Sequence, residues 1–126
     1  MDGLKRIAPA FPVSDAPPHF AHYRRLGFST REYTGVVGWL REPAIVYGFA
    51  VMDDVEIHVG IVPEGEVTAS ATAYLYVDEA DSLARAWAAA GIDVGGFLED
   101  TEWGQREGVG CDLDRNTLRF GSLLTT

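Results

Sequence analysis

The chain has one cysteine, few basic residues and no long hydrophobic run. Cys111 has no second cysteine with which to form an intrachain disulfide. Ten Lys and Arg stand against 19 Asp and Glu, and the net charge of −9 disfavours nucleic acid and anionic membranes as partners. The longest apolar run, residues 43–52, is shorter than the about 20 residues of a bilayer span. Residues 1–11 lack the apolar core of a signal peptide, so we expect a soluble cytoplasmic protein.

No nucleophile or phosphate-binding motif is present. The serines lack a G-x-S-x-G context, and the chain contains no phosphate loop, paired-cysteine site or basic stripe. The acidic charge suits a cationic ligand, because a negative field concentrates positive solutes, but solubility explains the same charge. Composition therefore assigns neither a catalytic residue nor a ligand.

The order of predicted elements divides the chain into two similar halves. The first half predicts a helix that ends at Gly27 and strands at 5–13, 28–33, 36–40, 45–51 and 55–62. The second half predicts a helix that ends at Gly91, strands at 71–77 and 92–98, and a hairpin within 101–121. We therefore expect one domain over residues 1–126, made of modules 4–62 and 70–124 with a linker at 63–69.

Equivalent positions in the two halves lie a constant 64 residues apart, as 77 − 13 gives for the first pair. The matched pairs are Val13 with Val77, Tyr23 with Trp87, Gly27 with Gly91, and Phe28 with Ile92. A constant offset across a strand end, a helix core, a cap and the next strand indicates an internal duplication.

Apolar periodicity also predicts which side chains are buried. Trp87 lies in a helical stripe and is predicted to be core, as are the strand residues Tyr47, Tyr74 and Tyr76. His19 and His22 have the i, i+3 spacing of metal ligands, but we interpret them as surface residues because no third ligand is evident. Ser14–Asp15 and Asp78 are the expected N-caps.

Two stretches near the C-terminus carry a family resemblance. Residues 102–107 (EWGQRE) and 112–120 (DLDRNTLRF) resemble the C-terminal signature of the glyoxalase/bleomycin-resistance group, the vicinal oxygen chelate superfamily. They look like its bleomycin-binding branch, which carries W-G-x-R-E and then a D-P-x-G-N type turn. Leu113 and Arg115 replace the usual Pro and Gly, so we expect another turn shape. The resemblance implies an α+β fold of two βαβββ modules, a dimer with strand exchange, and ligand clefts between modules or subunits.

The resemblance also implies where a metal would bind in the superfamily's enzymes. The ligand positions fall near Ala8 and Thr72 on the first strands, and on Glu56 and Arg119 on the last strands of each module. A hard divalent ion needs three or four O or N donors. Of the four implied positions, only Glu56, with His58 nearby, offers a ligand. We therefore expect no metal, no cofactor and no catalytic residue.

A binding site is predicted instead. Trp103 precedes Gly104 and is flanked by charges, which suits a pocket wall for stacking on a flat ligand; Trp39 is a weaker candidate. Strand alternation places Glu56 and His58 on one face, which lines a pocket if that face is concave and contacts solvent if it is not. The predicted ligand-binding residues are Trp103, Trp39, His58, Glu56, Glu102, Glu107 and Arg119.

Three functional hypotheses follow. The first is a non-catalytic protein, a homodimer, that sequesters a cationic, flat, glycopeptide antibiotic of the bleomycin class. Trp103 would stack on its heteroaromatic part, while Glu102 and Glu107 would attract its cationic tail. The second is a metal-dependent enzyme of the superfamily, of the glyoxalase, lyase or dioxygenase type. The third is a binding module for an unrelated small ligand.

Overall fold

The computed structural model describes residues 3–63, 66, 71–92 and 98–124. The helices are α1 (Ala16–Leu26) and α2 (Ala80–Ala89). The strands are β1 (Ala10–Val13), β2 (Ser29–Gly35), β3 (Ala44–Met52), β4 (Val55–Ile61), β5 (Thr72–Tyr76), β6 (Glu99–Asp100), β7 (Gln105–Cys111) and β8 (Thr117–Leu123). Nearly all of the predicted 92–98 strand and of the predicted 63–69 linker lies outside the described residues.

The strands form two four-stranded sheets with the same topology. Sheet A has the order β1-β4-β3-β2, and sheet B has the order β5-β8-β7-β6. In each sheet the first strand pairs in parallel with the last, and the other neighbours are antiparallel. This confirms the predicted α+β class and the two βαβββ modules. Neither α1 nor α2 is long and apolar enough to cross a membrane, and the described residues contain no other helix.

The two helices end in the same way. Gly27 and Gly91 both have left-handed backbones, with φ of 108° and 82°. The residue after each glycine donates its N–H to a carbonyl in the last turns, that of Tyr23 at 3.1 Å and that of Trp87 at 3.0 Å. Glycine is favoured there because it has no Cβ to strain a positive φ. The repeated contacts preserve the 64-residue offset that the sequence shows.

The core lies between each helix and its sheet. Trp87 is 1% exposed, and its ring meets that of Phe120 edge-on at 5.2 Å. Its indole N–H donates to the carbonyl of Leu26 in the other module, at 2.9 Å. Arg25 donates similarly to the carbonyl of Ala90. The predicted core role of Trp87 is confirmed, and the two helices join the modules.

Several local predictions are wrong in detail. Residues 36–40 form no strand, because the chain turns at Gly38 and the N–H of Leu40 bonds to Val37 at 2.9 Å. Only the last four residues of the predicted 5–13 strand form a strand, the edge strand β1. The N-cap of α1 is Asp15, as expected, but that of α2 is Glu79 rather than Asp78, and neither residue makes a side-chain cap bond. Helix α2 instead has its first N–H bonded to the hydroxyl of Ser122, at 2.9 Å.

The prediction that His19 and His22 lie on the surface is also wrong. They are 1% and 8% exposed, because the β7–β8 turn of the other module covers them. We name this turn, residues 112–116, the latch turn. His19 Nε2 lies 3.2 Å from a carboxylate oxygen of Asp114, and its Nδ1 lies 2.7 Å from the Asp15 carbonyl. Burial lowers the pKa of His22, although the nearby Asp112 carboxylate opposes this shift.

The latch turn contains a residue in a strained backbone conformation. Arg115, which stands where the D-P-x-G-N type turn has Gly, has φ of 66°, in the left-handed region that few residues other than glycine adopt without strain. We expect Arg115→Gly to raise the free energy of unfolding by about 0.5–1 kcal/mol, the relief of strain less the added unfolded-state entropy. Denaturant unfolding at unchanged m-value measures this. Arg115→Ala, which keeps a Cβ, is the control. If it raises the free energy of unfolding as much as Arg115→Gly does, the gain comes from removal of the Arg115 charge and not from relief of strain.

Candidate ligand-binding site

Each sheet has one face on its helix and one face without a helix, which we name the open face. In sheet A, Ile57 and Val59 are buried toward α1, so the alternating residues Glu56 and His58 lie on the open face. In sheet B, Phe120 is buried against Trp87, so its strand neighbours lie on the open face. The described contacts between the modules run through the helices and the latch turn, which leaves both open faces uncovered.

The open face of sheet B contains a hydrogen-bonded cluster around Glu107. The Tyr74 hydroxyl donates to the Glu107 carboxylate at 2.7 Å, and the Trp103 indole N–H donates at 3.2 Å. The Arg119 guanidinium donates to the second oxygen, also at 3.2 Å. Glu107 is 7% exposed, while Trp103 is 70% exposed. The carboxylate thus fixes the inner edge of an indole whose ring remains open to solvent.

These contacts set the ionisation of the cluster. The hydrogen bond from Tyr74, followed by those from Trp103 and Arg119, holds the pKa of Glu107 below its usual value. Burial, followed by the bond to Glu107, raises the pKa of Tyr74 to about 12. At neutral pH the cluster therefore contains a carboxylate, a neutral phenol and a guanidinium.

Two glycines shape this cluster. Tyr74 on β5 crosses β8 to reach Glu107 on β7, and a Cβ at Gly121 would collide with the Tyr74 hydroxyl. Gly104 has φ of 86° in the β6–β7 turn that presents Trp103. Thr101 closes this turn, since its backbone N–H bonds to the carbonyl of Gln105 at 2.8 Å. The indole therefore rests on a closed hairpin turn and a buried carboxylate.

Tyr76 extends the aromatic surface next to this cluster. Its ring lies 5.0 Å from that of Tyr74 and is 83% exposed. The prediction that Tyr47, Tyr74 and Tyr76 are core residues is wrong, because all three point to open faces. Alternation along β5 places Tyr74 and Tyr76 on one face and Leu75 on the other, and the structure shows that the face of Leu75 is the buried one.

The open face of sheet A contains a second polar chain. His58 Nε2 lies 3.0 Å from a Glu56 carboxylate oxygen, and its Nδ1 lies 2.9 Å from the Tyr47 hydroxyl oxygen. The Glu56 carboxylate also accepts from Arg6 at 3.2 Å. The hydrogen bond with His58, more than the Arg6 charge, lowers the pKa of Glu56. Glu56 and His58 thus share one face of their strand, as predicted. That face belongs to sheet A, whereas Trp103 lies on the open face of sheet B.

Two predicted residues lie outside these clusters. Trp39 is 47% exposed in the β2–β3 loop, where it lines a small cavity beside the start of α1 with Ser14 and Ile61. Glu102 is exposed in the same turn as Trp103, without a side-chain partner among the described residues. The structure therefore brings together Trp103, Glu107 and Arg119, but not Trp39.

The strand registers show which first-strand residues lie beside the implied last-strand metal positions. The sequence places the first-strand positions near Ala8 and Thr72, whereas the residue opposite His58 is Ala10 and the residue opposite Arg119 is Tyr74. Arg119 is ion-paired with Glu107 and supplies a cation where a metal would need a donor. Within the described part of the chain, no three His, Cys, Asp or Glu side chains are grouped to hold an ion. These donor sets do not fit a divalent metal.

The chain matches no protein-family model and no curated protein sequence. Solved structures do match it over nearly its whole length. A bleomycin resistance determinant encoded on the transposon Tn5 is 19% identical with a TM-score of 0.74, covering 97% of this chain and 100% of its own. A bleomycin-binding protein complexed with bleomycin is 21% identical with a TM-score of 0.71, covering 96% and 100%.

A glyoxalase-related enzyme from Clostridium phytofermentans is similar to the same extent. It is 18% identical with a TM-score of 0.75, and the match covers 98% of each chain. These likenesses show that the chain has the fold of the glyoxalase/bleomycin-resistance group, as its C-terminal motif implied. At such identities they do not separate its binding proteins from its enzymes.

Proposed function

We propose that the chain binds a cationic, planar small molecule of the bleomycin glycopeptide type and holds it without transforming it. The observation that carries the proposal is Trp103, an exposed indole fixed by a buried carboxylate on an open sheet face. Stacking a flat heteroaromatic ring on a fixed indole contributes about 0.5–1.5 kcal/mol beyond area burial. The net charge of −9 favours a cationic ligand.

The chemistry of the cluster supports capture more than catalysis. All three donors of the cluster point at Glu107, so its oxygens are occupied rather than available as a general base. Because Glu107 is occupied in this way, we propose that exposed carboxylates such as Glu102, and not Glu107, attract the cationic tail of the ligand. We propose that Glu107 instead positions the indole for stacking.

A homodimer completes the proposed site. Large apolar side chains are exposed on both open faces, with exposed fractions between 38% and 83%: Tyr33, Tyr47, Val51, Tyr76, Trp103 and Leu123. We propose that the open face of sheet A in one copy packs near that of sheet B in another. Each dimer would then form two clefts, each combining Trp103 of one copy with His58 and Glu56 of the other. A cytoplasmic location stays a prediction.

Titration with bleomycin tests the proposal. We expect one bleomycin per chain with a Kd of about 1 μM or tighter, equivalent to about −8 kcal/mol, since useful capture requires it. Calorimetry measures the stoichiometry and the Kd, and tryptophan fluorescence shows whether the ligand contacts Trp103. Analytical ultracentrifugation shows whether the protein is a dimer. An unchanged melting temperature and unchanged fluorescence at a hundredfold ligand excess would remove bleomycin as the ligand.

A further inference from the structure

A cavity of about 700 Å³ lies between the modules, apart from the Trp103–Glu107 cluster. Its walls are the end of β5, the first turns of α2, and the β3–β4 turn of the other module. Apolar side chains form the floor, including Phe28, Met52, Leu75 and Leu83. Four carboxylate side chains form the rim: Asp53, Asp54, Asp78 and Glu79. Ligand pockets commonly measure about 300–1,000 Å³, so the space suits a small organic molecule.

The duplication explains why this space is open. The 64-residue offset pairs Leu83 with His19 and Ala86 with His22. In the first module these histidines are buried beneath the latch turn, whose Asp114 also bonds the backbone N–H of Ser14 at 2.7 Å. In the second module the equivalent helix face carries Leu83 and Ala86, which line the cavity.

The covering turn is also shorter on this side. Five residues, 112–116, connect β7 to β8, whereas two residues, Asp53 and Asp54, connect β3 to β4. The β3–β4 turn is three residues shorter than the latch turn. It therefore has no side chain that reaches α2 in the way that Asp114 reaches α1. The cavity is therefore the unfilled counterpart of a filled interface, bounded by well-packed elements on both sides.

The rim carries uncompensated negative charge. Asp53, Asp54, Asp78 and Glu79 are exposed, and none has an ion pair or side-chain hydrogen bond among the described residues. The N-terminus of α2 contributes only about half a positive charge, which four carboxylates outweigh. An apolar floor beneath such a rim complements a molecule with an apolar body and a cationic end.

We propose that this cavity is a second ligand site, which takes a hydrophobic amine. The apolar body lies on Leu75 and Leu83, and the ammonium group lies among the rim carboxylates. Tyr76 lines the cavity and also packs on Tyr74, so it connects this site with the sheet B cluster. The inference does not rest on bleomycin binding, since no residue of the Trp103–Glu107 cluster lines the cavity.

Three probes with one apolar body and different charges test the site: phenylbutylamine, phenylbutanol and phenylbutyrate. We expect amide chemical-shift changes at residues 52–55 and 75–86 on titration of the whole protein. The amine should bind about fivefold or more tightly than the alcohol, and the carboxylate weakest, because several exposed carboxylates act together. Equal binding of all three probes, or no shifts at millimolar amine, would overturn the proposal.

Variants locate the binding. Ser82→Trp fills the mouth of the cavity from the exposed side of α2 and should abolish amine binding. Asp53→Asn combined with Asp78→Asn should reduce the preference for amine over alcohol about fivefold while leaving alcohol binding unchanged. Trp103→Ala, the matched control, should leave amine binding unchanged. If amine binding survives Ser82→Trp but is lost in Trp103→Ala, the amine binds the open face and the second site does not exist.

Discussion

Replacing Asp112 by alanine is expected to lower the free energy of unfolding by about 3–5 kcal/mol, the range for removing one partner from a buried charged network. The Asp112 carboxylate is buried in the latch turn and accepts four hydrogen bonds. The backbone N–H groups of Asp114 and Asn116 donate to one oxygen at 2.9 Å. The Tyr23 hydroxyl and the Asn116 amide donate to the other oxygen at 3.0 Å.

The loss is large because the donors cannot find other acceptors. Asn116 is 1% exposed and also bonds the carbonyl of Pro12 at 2.9 Å, so it cannot rotate to solvent without breaking the contact between modules. The buried His19 ring lies against the same network. Its Nδ1 meets the Asp15 carbonyl, which only accepts, and its Nε2 faces the carboxylates of Asp112 and Asp114 at 3.9 and 3.2 Å.

Denaturant unfolding of three variants tests this expectation. Asp54→Ala, an exposed carboxylate in the counterpart turn, should change stability by less than about 0.5 kcal/mol. Tyr23→Phe removes one donor of the Asp112 network and should cost about 1 kcal/mol. If Asp112→Ala costs no more than Asp54→Ala, the latch turn does not hold the modules together.

The sequence predicts those parts of the fold that depend on local signals. Gly27 and Gly91 end their helices at positive φ, which few other residues adopt without strain, so the caps are visible in the sequence. Trp87 is identified as core because its stripe repeats at helical spacing. The constant offset between such positions indicates the duplication, and the duplication determines the two-module architecture.

Features made by distant segments are not predictable in this way. His19 is buried by a turn that lies 93 residues later, as 112 − 19 gives, and helix periodicity contains no information about that turn. The run at 36–40 has the composition of a strand, but Gly35 and Gly38 on either side of Val36 and Val37 let the chain leave the sheet. In both cases tertiary packing decides what local propensity leaves open.

The sequence likewise predicts only part of the candidate site. The W-G-x-R-E motif identifies Trp103 and Glu107, because a motif records side chains that act together. The sequence predicts Tyr74 and Tyr76 as core residues, and this is wrong because alternation shows that two faces exist but not which one the helix covers. That Trp39 lies apart from Trp103 depends on the path of the β2–β3 loop, which no periodicity describes.

Replacing Trp103 by alanine is expected to weaken bleomycin binding about 30-fold or more, as for a tryptophan hot spot of about 2 kcal/mol. The indole is the largest exposed aromatic surface of the Glu107 cluster, and its truncation removes the stacking area. Stability should change little, because 70% of the residue is exposed and the buried Glu107 retains its bonds from Tyr74 and Arg119. Calorimetric titration and melting temperature measure the two effects separately.

Two further variants attribute the loss to the stacked ring. Trp39→Ala removes an indole that is 47% exposed and lies away from the cluster, and should leave the Kd within about twofold. Trp103→Phe keeps a stacking face but loses the N–H bond to Glu107, so we expect an intermediate Kd. If Trp39→Ala weakens binding and Trp103→Ala does not, ligand capture does not occur on the open face of sheet B. The site must then be sought beside α1, where Trp39 lies.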